Sequence, residues 1–376
     1  MPTRRDVLAG LTAMSMLPTP GLASSWLPPL LVTVVLRGAM DGLHAIPAPG
    51  DPHYARARGK LALPHGALLP LEGPFAAHPA LAELMPWYAD GDLLVVHAAG
   101  MPYRGRSHFD GQDHLESALA DRSPDTGWLG RALAAMPTPP KALAVGARTP
   151  LILQGAPRAT AIQPLSTSEV DAGFSRAMAQ LYGGDPLLGS AMEAALEAEA
   201  PLDRQALRRG GDEVVRTFAA AGTLLSRDYT VATLEVGGWD THARQGELEG
   251  QLANRLKQLA AGLVALRGSL GHRWDRTVVV VMTEFGRTVG ANGTGGTDHG
   301  TGGIALLAGG AVNGGRVLAD WPGLSSSALL DGRDLRPTTD LRAVLGGVLL
   351  DHLRVPRIAE VFGPEVVATP SLVSRG

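Results

Sequence analysis

Leu30-Leu31-Val32-Thr33-Val34-Val35-Leu36 is the stretch on which the fold class turns. It is apolar except for Thr33 and rich in β-branched residues, so it has no face to offer to water. A strand of that kind is covered on both sides, as in the parallel sheets of α/β proteins. Working outward, runs of the same type recur at Leu93–Val96, Tyr229–Val236 and Thr277–Met282, with a shorter one at Ile304–Leu307. Segments of helical period lie between and around them: 79–90, 109–120, 127–135, 166–182, 202–225, 244–270 and 339–353. Buried strands alternating with helices predict a three-layer α/β/α sandwich with a largely parallel central sheet.

The 376 residues, 45% hydrophobic and 18% charged, suffice for a large buried core and describe a globular chain. No solenoid-period repeat and no low-complexity linker interrupts residues 24–376, so a single α/β domain is expected there. The Pro- and Gly-rich stretch 45–74 is long for a plain connection and reads as a loop or small subdomain near a site. The stretch 134–164 reads as irregular. A formal net charge of -3, with no basic block, argues against a nucleic-acid partner. Cysteine is absent, so a bound metal must be held by oxygen and nitrogen.

Residues 1–23 read as an address. Arg4-Arg5 precede a short apolar run, Val7 to Leu17, which Pro18 and Pro20 end before the small residues Gly21-Leu22-Ala23. The run is too short to span a bilayer. Paired arginines followed by Leu8 resemble a twin-arginine signal peptide, which implies the twin-arginine export machinery as a partner and a periplasmic or extracellular destination. The plainer reading is a basic N-terminus with a chance apolar patch. No later apolar run is long enough for a stable membrane span.

Ligands of open α/β sheets bind beyond the carboxyl ends of the strands. After the first strand come Arg37 to Gly42, with Asp41; after the second, Ser107-His108; after the third, Asp240-Thr241-His242; after the fourth, Glu284-Phe285-Gly286-Arg287. Asp298-His299 stand at the entrance of the short run Ile304–Leu307. Carboxylates, imidazoles and a hydroxyl without sulfur suit zinc, manganese, magnesium or calcium. Flanking glycines let backbone approach a ligand closely. Each motif also has an ordinary explanation: Asp41-Gly42 as a turn, Ser107 as a helix cap, Asp240 and His242 as a solvated loop, Glu284 with Arg287 as a surface ion pair. His97, at the end of a buried strand, reads as a hydrogen-bonded core histidine. His44 and His114 rank lower. The run Gly293-Thr294-Gly295-Gly296 lacks the Lys-Ser/Thr of a P-loop, which sets a nucleotide site aside.

Taken together, LRGAMDGLHA (36–45), RSHFDGQD (106–113), GGWDTHARQ (237–245), TEFGRTVGANGTGGTDHGTGG (283–303) and GGRVLADWPGL (314–324) resemble the exported bacterial family called domain of unknown function 1501. That family is similar in fold and motif order to the alkaline phosphatase and sulfatase superfamily. The resemblance implies an alkaline-phosphatase-like fold and one or two divalent metal ions. It implies Asp41, Asp240, His242, Glu284 and His299 as metal ligands, and Ser107 as nucleophile. The superfamily's Asp-His after the fourth strand is here Glu284-Phe285, so one imidazole is lost, with His108 or Asp298 as the candidates to replace it. Arg37, Arg106 and Arg287, beside these motifs, are candidate clamps for an anionic substrate. The expectation is an exported metal-dependent hydrolase of phosphate or sulfate esters, small or polymeric. The alternative is a non-catalytic exported binding or assembly protein that keeps the fold.

Overall fold

The computed structural model describes residues 27–119, 125–163, 177–178, 180–185, 189 and 211–374. The leader expected over 1–23 and most of the helix expected over 166–182 lie outside these residues, and the helix expected over 202–225 is described from 211 onward. Strand β1 (Leu30–Leu36) is buried along its whole length, as its sequence requires. It leads into α1 (Gly42–Ala45), α2 (Tyr54–Arg58) and a two-residue antiparallel pair, β2 (Leu69–Pro70) and β3 (Ala76–Ala77). A 3-10 turn at Pro79–Leu84 runs into α3 (Met85–Asp90) and then β4 (Leu93–Gly100). The chain continues through α4 (His108–Ser117), α5 (Trp128–Ala134), β5 (Ala142–Val145), β6 (Ala159–Ile162), α6 (Glu213–Leu225), β7 (Val231–Val236) and α7 (Gln251–Leu270). It ends with β8 (Thr277–Thr283), β9 (Gly303–Ala308), β10 (Arg316–Leu318), β11 (Thr339–Asp340), α8 (Leu341–Asp351) and α9 (Ile358–Phe362).

One large sheet has the order β10-β4-β9-β8-β1-β7-β5-β6, with β11 also paired to β4. Its ladders are parallel except those of β9, which runs antiparallel to both β8 and β4. Alternation along β1 sends its side chains into two cores. Leu30, Val32, Val34 and Leu36 meet Phe218 of α6 and Leu256 and Leu263 of α7. Leu31 and Val35 belong with Trp128 of α5 and Val344 and Leu345 of α8. Helices therefore cover both faces of a mostly parallel sheet. Thr33, the one polar residue of the run, is satisfied by Thr233 Oγ1 on β7 at 2.9 Å.

Two local readings change, and a third gains detail. Strands β5 and β6 lie in the stretch read as irregular; ALAV and ATAI are four residues each and half alanine, so they carry little of the β-branched signal of β1. The helix expected from 244 begins only at Gln251, because Gly246 and Gly250 take positive φ angles of 86° and 123° and hold 244–250 as a loop. The stretch 45–74 carries α2, which delivers Arg58 to the interior. Among the described residues no helix is long and apolar enough to cross a membrane.

Candidate metal centre

β1, β4, β7 and β8 run in the same sense, so their carboxyl ends share one edge of the sheet. Antiparallel β9 begins at that edge, which is why residues preceding a strand join residues following the others. His108 opens α4 beyond β4, Asp240 and His242 follow β7, Glu284 follows β8, and His299 precedes β9. The chain thus brings three histidines and two carboxylates to one place.

His108, Asp240 and His299 each offer a ligand atom, all within 4.8 Å of one another. His108 Nε2 lies 3.5 Å from Asp240 Oδ2, and His299 Nε2 lies 3.7 Å from Asp240 Oδ1. His242 stands at the rim, with Nε2 at 3.1 Å from Asp240 Oδ1 and 2.9 Å from His299 Nε2. The far nitrogen of each ring is occupied. His108 Nδ1 meets Glu284 Oε1 at 2.7 Å, His299 Nδ1 meets the Arg106 carbonyl at 2.7 Å, and His242 Nδ1 meets Asp298 Oδ1 at 3.1 Å. Carboxylate and carbonyl oxygens only accept, so each Nδ1 carries the proton and, in a neutral ring, each Nε2 keeps a bare lone pair. Two such lone pairs, on His242 and His299, then face each other at 2.9 Å, while buried His108 Nε2 has no hydrogen-bond partner. At this separation the two nitrogens either share a proton, one ring then being charged, or turn both lone pairs toward one cation beside them. This is the arrangement of metal-binding imidazoles, each fixed through its other nitrogen by an oxygen acceptor. A donor set of imidazole nitrogens and one carboxylate fits a zinc-like ion better than magnesium or calcium, which prefer all-oxygen shells.

Charge supports the same assembly. Burial pushes the Asp240 carboxyl up, but the Arg287 guanidinium bonded to it holds it below the usual carboxylate range, so it stays ionised. Burial likewise pushes Glu284 up, and the hydrogen bonds from His108, Thr283 and the Gly38 amide bring it below its ordinary value. The Glu284 hydrogen bond raises His108, against burial. Burial lowers His299. The Phe285 ring stacks on His108 at 5.1 Å between centroids and so helps to hold that imidazole in place.

The expected residues fall into groups. Asp240 and His299 converge, with His242 beside them, and His108 joins them from second rank. Glu284 stands behind His108 and Asp298 behind His242. Asp41 stands apart from the cluster: although it follows β1, its Oδ2 is taken by Arg58 and Gln245, at 2.8 and 2.9 Å, and its Oδ1 by the His44 amide. Arg58, fully buried, makes that carboxylate the anchor of an interior ion pair. Burial pushes Asp41 up, yet Arg58 brings it below its ordinary value. Ser107 caps α4, its Oγ 3.5 Å from the Asp110 amide. The arginines read as free clamps are engaged: Arg37 by Glu116 and Glu235 at 2.7 and 2.6 Å, and Arg106 by Asp334 at 2.7 Å. Arg287 is buried and donates to the Ala39, Gly38 and Thr297 carbonyls besides Asp240, so it shapes the loop that carries Asp240. Gln245 was not foreseen. Its amide donates to Asp41 and accepts from Thr241 and Thr297, one neighbouring Asp240 and His242, the other neighbouring Asp298. No local signal marks it, because a lone Gln after a turn acquires this purpose only when distant loops meet.

Fold and site together define an α/β protein with a possible metal-binding cluster at the carboxyl edge of a mostly parallel sheet. The chain belongs to the family described as "Protein of unknown function (DUF1501)", whose pattern matches residues 92–352. Among curated proteins none matches it. Among solved structures, the crystal structure of Ps i-CgsB is similar at 12% identity and a TM-score of 0.33, over 75% of this chain and 66% of that one, so the chain spans just under two thirds of its length. The crystal structure of Ps i-CgsB in complex with k-i-k-neocarrahexaose is similar at 11% identity and a TM-score of 0.38, over 90% of this chain and 73% of that one.

Proposed function

We propose that the chain is an exported metal-dependent hydrolase of phosphate or sulfate esters, working in the periplasm or outside the cell. The observation that carries this reading is the pair of facing imidazole nitrogens beside an ionised Asp240 and an unpartnered His108 Nε2. His108, Asp240 and His299, with His242 at the rim, would hold a divalent ion of zinc type. When bound, such an ion polarises an ester oxygen and favours ionisation of a nearby hydroxyl. Ser107 adjoins His108 at the N-terminus of α4, where peptide dipoles favour an oxyanion, and is the proposed nucleophile or substrate anchor. Glu284 and Asp298 keep His108 and His242 in the tautomer that leaves Nε2 bare. Arg287 keeps Asp240 ionised. Residues 1–23 would direct the folded chain through the twin-arginine machinery.

The test is elemental mass spectrometry on protein purified without chelator, beside Asp240→Ala and His299→Ala, followed by phosphate and sulfate esters offered with the metal found. Near-stoichiometric metal in the parent, lost in both variants, with ester turnover that Ser107→Ala lowers, is the expected result. A parent that takes up no zinc, manganese, magnesium or calcium removes this reading. One observation favours the second reading, an exported binding or assembly protein: all three candidate clamp arginines are already committed to protein carboxylates. Metal binding without turnover of any ester class would select it.

A further inference from the structure

The cluster is not evenly open to solvent. The side chains of His108 and His299 are 23% and 25% exposed, while those of Asp240, His242 and Asp298 are 45%, 42% and 55% exposed. Access is therefore from the His242–Asp298 side. On that side lies a cleft of about 450 Å³, and Asp298 forms part of its wall. His53, Arg56, Asn292, Ser326 and Arg333 also line it. A volume of this order accommodates a small organic group.

The charge of the wall is one-sided. Among the described residues Asp298 is its only carboxylate, held by Asn292 Nδ2 at 3.0 Å and His242 Nδ1 at 3.1 Å. Against it stand the guanidiniums of Arg56 and Arg333. Arg333 is fixed at the junction with the metal cluster, donating to the His299 carbonyl at 2.7 Å and pairing with Asp334 at 3.0 Å. Arg56 comes from α2 and also lines the cleft. Its element was folded into place by the neighbouring Arg58, whose burial against Asp41 turns the other face of α2 outward.

We propose that this cleft receives a second anionic group of the substrate, so that the preferred ester is one whose alcohol portion itself carries a phosphate, sulfate or carboxylate. The inference rests on the hydrolase reading for the position of the reacting ester, at His108, Asp240 and His299. Arg56 is the residue that reads the second anion, and Arg333 orients it beside the metal cluster.

The experiment measures equilibrium binding of fructose 1,6-bisphosphate and fructose 6-phosphate by calorimetry, at low and at physiological ionic strength, with metal content determined on the same preparations. The bisphosphate is expected to bind at least about tenfold more tightly at low salt, with the margin narrowing as salt rises. Arg56→Ala, which removes the charge, and Ser326→Trp, which fills the cleft from an exposed position, should each erase most of that margin without altering metal content. Equal affinities for the two probes in the parent chain, or a margin that survives both substitutions, overturns the proposal. Absence of metal with the margin intact would instead remove the hydrolase reading and leave the cleft as an anion site.

Discussion

Buried histidines outside the metal cluster, His97 and His352 as well as His44, contribute to how the protein responds to acid. His97 donates to the Ile46 carbonyl at 2.8 Å and His352 to the Leu30 carbonyl at 2.9 Å, and burial holds each at a pKa of about 4. Unfolded, each returns to its ordinary value of 6.5. Between those values the unfolded chain binds protons that the native one refuses. Stability is therefore full above pH about 6.5 and falls toward pH about 4, by roughly 1.4 kcal/mol per pH unit for each group. The urea midpoint should drop over that window, and His97→Gln should shallow the slope; a flat midpoint down to pH about 4.5 refutes the assignment. Glu284 makes a different prediction. Glu284→Gln keeps the shape but removes the charge behind His108, and metal affinity should fall by about 10- to 100-fold with the fold intact by circular dichroism. An unchanged affinity would mean that Glu284 does not orient His108. Of these residues, His97 was legible as a core histidine from its place in an apolar strand. His108 was under-read because nothing in the sequence tells which ring at a helix start points inward. The ion pair of Asp41 was not legible, since its partner Arg58 sits on the short helix α2, in a stretch whose path no local pattern fixes.

Glycines in the segment 283–303 explain how the loops carrying ligands come so close. A Cβ on Gly296 would collide with the carbonyl oxygen of Thr241 and the backbone of His242, and one on Gly286 with the carbonyl of Gly302. Backbone thus lies directly on backbone, and the segment bearing His299 is stacked on the segments bearing His242 and Glu284. Gly296→Ala should force the 241–243 and 296–299 loops apart. Metal affinity is expected to drop at least about tenfold while the melting temperature falls only a few degrees, since both loops lie outside the two cores. A loss of stability without loss of metal would count against the stacking account. The strands themselves were the most readable elements: β1 and β8 are continuous apolar runs, and their bounds follow the sequence closely. The direction of β9 was not readable. An apolar run of this length has the same composition whichever way it enters a sheet, and only its neighbours β4 and β8 impose the antiparallel sense.

The large sheet extends from β10, late in the chain, to β6, with β1 between β8 and β7. Both cores draw on β1, so neither can be released without exposing the other. A single cooperative unfolding transition is expected, with near- and far-ultraviolet circular dichroism coinciding in urea and the calorimetric enthalpy matching the van't Hoff value. Two separated transitions would show that the domain expected over 24–376 is divided. The class of fold was legible at this level because strand and helix periods alternate along the chain. The order of the strands was not, because pairing is settled by long-range contacts that leave no periodic trace.

The placing of β9 also sets a timetable for synthesis. Strand β4 ends at Gly100, and the strands that flank it, β9 and β10, begin at Gly303 and Arg316. As the chain emerges from the ribosome, β4 must wait without its ladder while most of the remaining polypeptide is made. His108 waits with it, and it meets His299 only when the last third of the chain has docked. A nascent chain interrupted before residue 308 can own His108, Asp240 and Glu284 and still have no centre. Were a metal bound, its uptake would be a late event that marks a finished molecule, and the ion would act as a seal on the completed sheet.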